Sequence, residues 1–382
     1  MDENQKKRDL LNIEIIGILK KKQTKININT QANRNYGIDL LKIVSMVNII
    51  NLHINLHTPH LKLNPLHPKY KQVYRLEAFS YWPVDAFGLI SGIIGYRKYK
   101  FANIIYLWLE YFFYSVIFSV YLYHKSLISQ KILFYHFLPL GIRRHWYVNA
   151  YIFMYLFLPF ITNSLNSMNK ALYSKIILCF FFIYSFYHII IILIIQSTNF
   201  NFINSGYSTL WLLILYIIGA YFGRFYINKP LFSSIFFLFI YLIASLLSSE
   251  YIFYSFRKNK IPNKIFLQYF SPTIIIQAIS LIFFFSNLKL RNKYLIKVIT
   301  FFNPLNFNVT LIHSRIFYFQ TPTVLKFYEF IKSLTPKFLF FKIYGLSTLI
   351  YFASAFFDYF RFLLFKVLRI RYLCYYIEKK VI

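Results

Sequence analysis

Ten apolar runs recur along this chain, most of them about 17 to 25 residues long, and a run of that length crosses the hydrocarbon core of a bilayer as a helix. They fall near 38–57, 79–96, 104–123, 146–163, 173–195, 208–227, 231–249, 272–286, 295–314 and 341–365. Breaker clusters separate them, among them His57-Thr58-Pro59-His60, Asn228-Lys229-Pro230 and Thr321-Pro322,. In lipid every backbone amide must be satisfied inside its own segment, so the pattern specifies an all-α, polytopic integral membrane bundle of about ten transmembrane helices. With 58% of residues hydrophobic and 14% charged, one water-soluble core could not hide so much apolar surface,.

Lysine and arginine outnumber aspartate and glutamate 43 to 12. In a soluble chain that excess would point to nucleic acid, but here the cations lie mostly between apolar runs, where they set topology and meet anionic headgroups. No recognition motif accompanies them, so membrane lipid and not nucleic acid is the expected partner. Summed over alternate sides, about 25 cations fall on the side of the N-terminus and about 17 on the other, which predicts that both termini are cytoplasmic. Three segments follow: a basic N-terminal stretch over 1–35, a membrane domain over 36–370 and a short basic tail over 371–382. No cleavable signal is expected ahead of the first span. The two cysteines, Cys179 and Cys374, give neither a disulfide framework nor metal-ligand spacing,.

An ionisable side chain inside a hydrophobic span is costly, and each one is a candidate functional residue. The set comprises Asp39, Lys42, His53, Asp85, Glu110, His188 and His313. In the first span, positions 39, 42, 46, 49 and 53 follow 3-4-3-4 spacing and share one helical stripe. At 1.5 Å per residue, Lys42 and His53 are roughly 16 Å apart along the axis. A cation at the membrane mouth can hold phosphates while an imidazole deeper in meets the reactive end of a long carrier, a shape that coenzyme A has. Because free imidazole titrates near neutrality, a histidine such as His53 suits general-base work, and the plainer alternative is a hydrogen bond to a neighbouring helix. His53 and His57 have the i, i+4 spacing of a two-ligand face, but no third ligand stands beside them, so no metal is expected. Glu110 calls for a neutralising partner such as Lys42 or Arg97, with proton handling as the lesser reading. Ser91-Gly92 suits close helix packing, and Trp146 with Tyr147 suits interfacial anchoring.

The run Tyr36-Gly37-Ile38-Asp39-Leu40-Leu41-Lys42, with His53 fourteen residues after the aspartate, resembles the first helix of the acyltransferase type 3 family. Further matches follow in order: Phe87-Gly88-Leu89-Ile90-Ser91-Gly92, His145-Trp146-Tyr147 with Leu158-Pro159, Tyr216-Ile217-Ile218-Gly219, Tyr269 to Pro272, and Val309-Thr310-Leu311-Ile312-His313. The likeness spans about 36 to 370. It implies a membrane O-acyltransferase that takes acetyl coenzyme A from the cytosol and modifies a hydroxyl of a carbohydrate or glycolipid acceptor. By that resemblance His53 is the catalytic candidate, Asp39 an orienting or structural partner at the helix entry, and Arg97, Lys98 and Lys100 contact the donor's phosphates beside Lys42; His313 joins the site if the first and ninth helices touch, and Glu110 joins it on the proton-handling reading. Lys42 stands where the family usually has arginine, which exchanges a bidentate fork for a point charge. Two other readings fit the buried charges: an exporter of an amphiphilic or lipid-linked substrate, and a family member without activity.

Overall fold

The computed structural model describes residues 34–57, 67–96, 99–140, 145–195, 203–227, 229, 232–259, 262–318, 326, 329–331 and 333–381. Among them there are helices and no strands. Eight helices are long and apolar enough to cross a membrane, and each coincides with one of the expected spans. They are α1 (Tyr36–His57), α4 (Phe101–His124), α6 (Trp146–Ser167), the run Lys170–Ile194, α10 (Ser234–Asn259), the run Ile265–Ser286, the run Lys293–Ser314 and α14 (Leu339–Val367). Within these runs lie α7 (Lys170–Phe181), continued through a π turn into α8 (His188–Ile195), then α11 (Pro272–Ser286) and α12 (Lys293–Phe302).

The two remaining spans are shorter helices, α3 (Pro83–Gly95) and α9 (Thr209–Phe225). They pack on each other at backbone distance, because small residues let the two main chains meet. A Cβ on Gly92 would run into the Tyr216 carbonyl, and one on Gly219 into the Leu89 carbonyl. Gly92 therefore serves packing, as its sequence context suggested, and the pair sits in the largest apolar core with Leu89, Leu215 and Tyr216 fully buried.

Three stretches outside the expected spans are also helical: α2 (Tyr70–Ser80), α5 (Gln130–His136) and α15 (Ile370–Val381). In α2 the residues Tyr70, Val73, Tyr74, Glu77 and Ala78 recur at helical spacing and are buried, so one face is held by the bundle,. The tail helix α15 carries Arg and Lys among Tyr, Leu and Ile. Its Glu378 accepts a 2.6 Å hydrogen bond from the Phe101 amide at the start of α4.

The ninth span breaks once. Pro304 has no amide hydrogen to continue the ladder, and the chain tightens into a 3-10 turn over Asn303–Leu305 before resuming as α13 (Asn306–Tyr318),. The Asn306 amide then donates to the Lys42 carbonyl at 2.9 Å, which joins the broken helix to the start of α1.

Candidate active site

The stripe on α1 faces inward. Lys42, Met46, Ile49 and His53 all line one cavity of about 390 Å³. Asn303, Asn306, Phe307 and Thr310 from the broken ninth span form a second wall. The helical period of residues 39–53 thus becomes a column that runs from a lysine at one end to an imidazole at the other.

At the lysine end, Lys42 Nζ pairs with Asp39 at 3.0 Å, and its side chain keeps 19% exposure. Asp39 is therefore the partner that fixes the ammonium in place.

At the other end, His53 Nδ1 lies 3.0 Å from Nε2 of His313, 260 residues away on α13. His313 is fully buried, and its Nδ1 lies 2.6 Å from the Val309 carbonyl. A carbonyl oxygen can only accept, so the tautomers follow in sequence. His313 carries its proton on Nδ1 and donates to Val309. In the neutral ring its Nε2 then holds a lone pair and accepts from His53 Nδ1–H,. That leaves the lone pair of a neutral His53 on Nε2, the state a general base needs.

Beyond His53 the cavity is walled by aromatic rings. Trp146 lies 5.8 Å from Tyr269 between ring centroids, and Tyr81 lies 5.0 Å from Tyr269. Tyr207 closes on Trp146 at 4.6 Å, and its hydroxyl meets that of Tyr81 at 3.2 Å. Trp146 and Tyr147, which sequence context cast as interfacial anchors, both line the cavity. His145 and Ser91 line it as well.

Glu110 lies elsewhere. It is not among the cavity-lining residues, and its partner is Arg361 on α14 at 2.7 Å, not Lys42. Arg361 also forks onto Asp358 through bonds of 2.9 and 2.7 Å, and Tyr114 donates to Asp358 at 2.6 Å. Asn308 on α13 donates to Glu110 at 3.2 Å. This buried cluster ties α4, α13 and α14 together, and through Asn308 it reaches the helix that carries His313. Asp85 is likewise buried outside the lining and accepts from Trp211 at 3.1 Å.

Of the cations expected to meet a donor, Lys100 does not line the cavity. Its ammonium sits 5.4 Å over the Tyr375 ring of the tail helix. Arg97 and Lys98 lie outside the described residues. Among the described residues no group of three or more His, Cys, Asp and Glu side chains is placed to hold a metal ion.

Three rings of this wall, Tyr81, Tyr207 and Tyr269, come from three separate segments, and none was marked as a site residue from the sequence. Tyr269 had a signal in its match to the family pattern before Pro272; Tyr81 and Tyr207 had none. No curated protein and no solved structure matches the chain. The family model described as an acyltransferase domain matches residues 35–357, nearly the whole chain and every wall of this cavity. The chain is a member of the acyltransferase type 3 family and an integral membrane acyltransferase.

Proposed function

We propose that this protein moves an acyl group, in the first instance acetyl, from acyl coenzyme A to a hydroxyl of a carbohydrate or glycolipid. The observation that carries the reading is that His53 lines the cavity while its Nδ1 meets His313, itself in contact with the Val309 carbonyl, an order that in neutral rings supports a lone pair on His53 Nε2. In this reading the Lys42 end faces the cytosol and receives the donor, in agreement with the excess of cations on that side. Lys42, positioned by Asp39, meets the donor's phosphates,. A pantetheine arm then lies along Met46 and Ile49, with the thioester at His53. The separation of roughly 16 Å between the two ends suits such an extended arm.

The acceptor occupies the aromatic end. Pyranose rings present flat faces of C–H groups, and these pack on the electron-rich faces of Trp and Tyr. Trp146, Tyr269 and Tyr81 provide such faces within the cavity. His53 Nε2 takes the proton from the acceptor hydroxyl as its oxygen attacks the thioester carbonyl. The C–S bond breaks as the C–O ester bond forms, and the imidazolium returns the proton to the departing thiolate. Through this step His313 Nε2 keeps accepting from His53 Nδ1–H, which stabilises the imidazolium.

The test is His53→Ala, assayed in membranes with radiolabelled acetyl coenzyme A. Loss of a general base lowers transfer by about 10²- to 10⁴-fold. Full transfer by the variant would remove His53 from the chemistry. An exporter would leave the thioester intact, so wild-type membranes that never consume it would overturn the acyltransferase reading itself.

A further inference from the structure

Only Leu368 and Arg369 separate the last membrane crossing, α14, from the tail helix α15, and Arg369 turns the chain there with φ +50°. Near the far end of α15, Glu378 holds the first amide of α4. Between the two, the Tyr375 ring lies 5.4 Å under the Lys100 ammonium, just before α4. The helix thus runs from the point where one crossing ends to the point where another begins, and both of its ends are held at the level of the bilayer surface. One face is packed on the protein: Cys374 is buried, and the Arg371 guanidinium sits 5.0 Å over Tyr106 of α4. The family match stops at residue 357, so α15 lies outside it and the family assigns it no role.

The opposite face has a different character. An α-helix turns by about 100° per residue, which gathers Tyr372, Leu373, Tyr376, Lys379 and Lys380 within roughly 120° of one another. All five are exposed, Tyr372 to 72% and Leu373 and Tyr376 each to 47%. The Lys380 ammonium lies 5.1 Å over the Tyr376 ring. Glu378, the one acid of α15, is turned toward α4, so no carboxylate of this helix faces outward beside the two lysines. Rings and a leucine at one end of the face suit the boundary between headgroups and acyl chains, and ammonium groups at the other suit negative charge above it. A neutral lipid would cover the rings and leave the lysines unmatched. An anionic lipid meets both halves at the depth where the helix is held.

We infer that this face of α15 is a docking surface for anionic phospholipid headgroups, with Lys379 and Lys380 on the headgroup phosphates and Tyr372, Leu373 and Tyr376 at the acyl boundary. Its other face joins that surface to α4, the helix that gives Leu107 to the reaction cavity.

The test reads binding and needs no turnover, so it stands apart from the His53 assay. The full chain carrying Tyr372→Trp is placed in vesicles of mixed phosphatidylcholine and phosphatidylglycerol in which one lipid or the other is brominated. The unaltered chain serves as the blank for the native tryptophans. The added indole is quenched more strongly when phosphatidylglycerol carries the bromine. Lys379→Gln with Lys380→Gln lowers the relative affinity for phosphatidylglycerol roughly thirtyfold, because each lysine beside an anionic surface contributes a preference of about fivefold. Lys379→Arg with Lys380→Arg retains it. Quenching by neither lipid takes α15 off the bilayer, and equal quenching by both leaves the lysines without a lipid partner; either result overturns the assignment. So does loss of the preference on adding coenzyme A, which would give the two lysines to the donor's phosphates.

Discussion

His313 does not line the cavity and acts in the proposed step only through His53, yet its removal has a calculable effect. In His313→Ala the His53 Nδ1–H loses the acceptor now 3.0 Å away. That acceptor matters most when His53 becomes an imidazolium, and a hydrogen bond to a charged group contributes about 1.5–3 kcal/mol. Realised in the transition state, the loss lowers kcat by about 10- to 150-fold. His53 also loses the contact that selects its tautomer, which adds to the effect in the same direction. His313→Gln keeps a carbonyl oxygen in reach of His53 Nδ1–H, and kcat stays within about tenfold of wild type. The KM for the donor is unchanged in both variants, because Lys42 lies roughly 16 Å from His53 along α1. The assay is initial-rate transfer from labelled acetyl coenzyme A by purified protein in detergent, with a thermal melt on each variant to confirm the fold. Wild-type kcat in His313→Ala refutes the relay. Equal losses in the Ala and Gln variants, with melts matching wild type, refute the role of an acceptor at this position.

Two further outcomes separate structural charges from the chemistry. Arg361→Ala strands Glu110 and Asp358 as buried carboxylates, and breaking such a cluster costs about 3–5 kcal/mol, seen as a sharp fall in folded yield and melting temperature. Glu110→Gln leaves the Arg361–Asp358 fork intact and retains transfer in the protein that folds; abolished transfer at a wild-type melting temperature would put Glu110 into the reaction. Outside the membrane crossings, burial pushes the Glu77 carboxyl on α2 above its ordinary 4.5, against the pull of Lys264. A raised folded-state pKa contributes stability that is present below that ordinary value and is lost as pH rises through the folded value. Glu77→Gln therefore gains in melting temperature over wild type as pH rises from about 4.5 toward neutrality, and a difference that is flat or shrinks with pH contradicts this.

Helical periodicity made much of the architecture legible. Each of the eight helices long and apolar enough to cross a membrane coincides with one of the apolar runs, and the 3-4-3-4 spacing of residues 39–53 placed Lys42 and His53 on the face that lines the cavity. Contacts between helices carry no such signature. His53 and His313 meet across 260 residues, and nothing local to either position encodes which helix its neighbour is. The same limit explains Glu110, whose nearest cation in sequence is not its partner, because α14 returns Arg361 to the same depth. Span length misled for the opposite reason. The run at 79–96 reads as one span, but it divides at the α2–α3 junction. Tyr81 sits in that junction, on the cavity wall.

The division has a functional logic. Had one straight helix run through 70–95, Tyr81 and Pro83 would follow the regular helical screw and could not both be chosen by the cavity. Breaking the chain there lets α3 pack tightly on α9 through Gly92 and Gly219 while α2 turns its buried face, with Glu77, toward Lys264. The ninth span uses the same device at the opposite end, where the 3-10 turn at Asn303–Leu305 brings Asn303 and Asn306 onto the wall beside Lys42. Each end of the cavity is thus bounded by an interrupted helix, and the uninterrupted α1 runs between them with Lys42 and His53 at fixed separation. A rigid helix sets the distance a two-ended donor must span, while the interruptions shape what surrounds each of its ends.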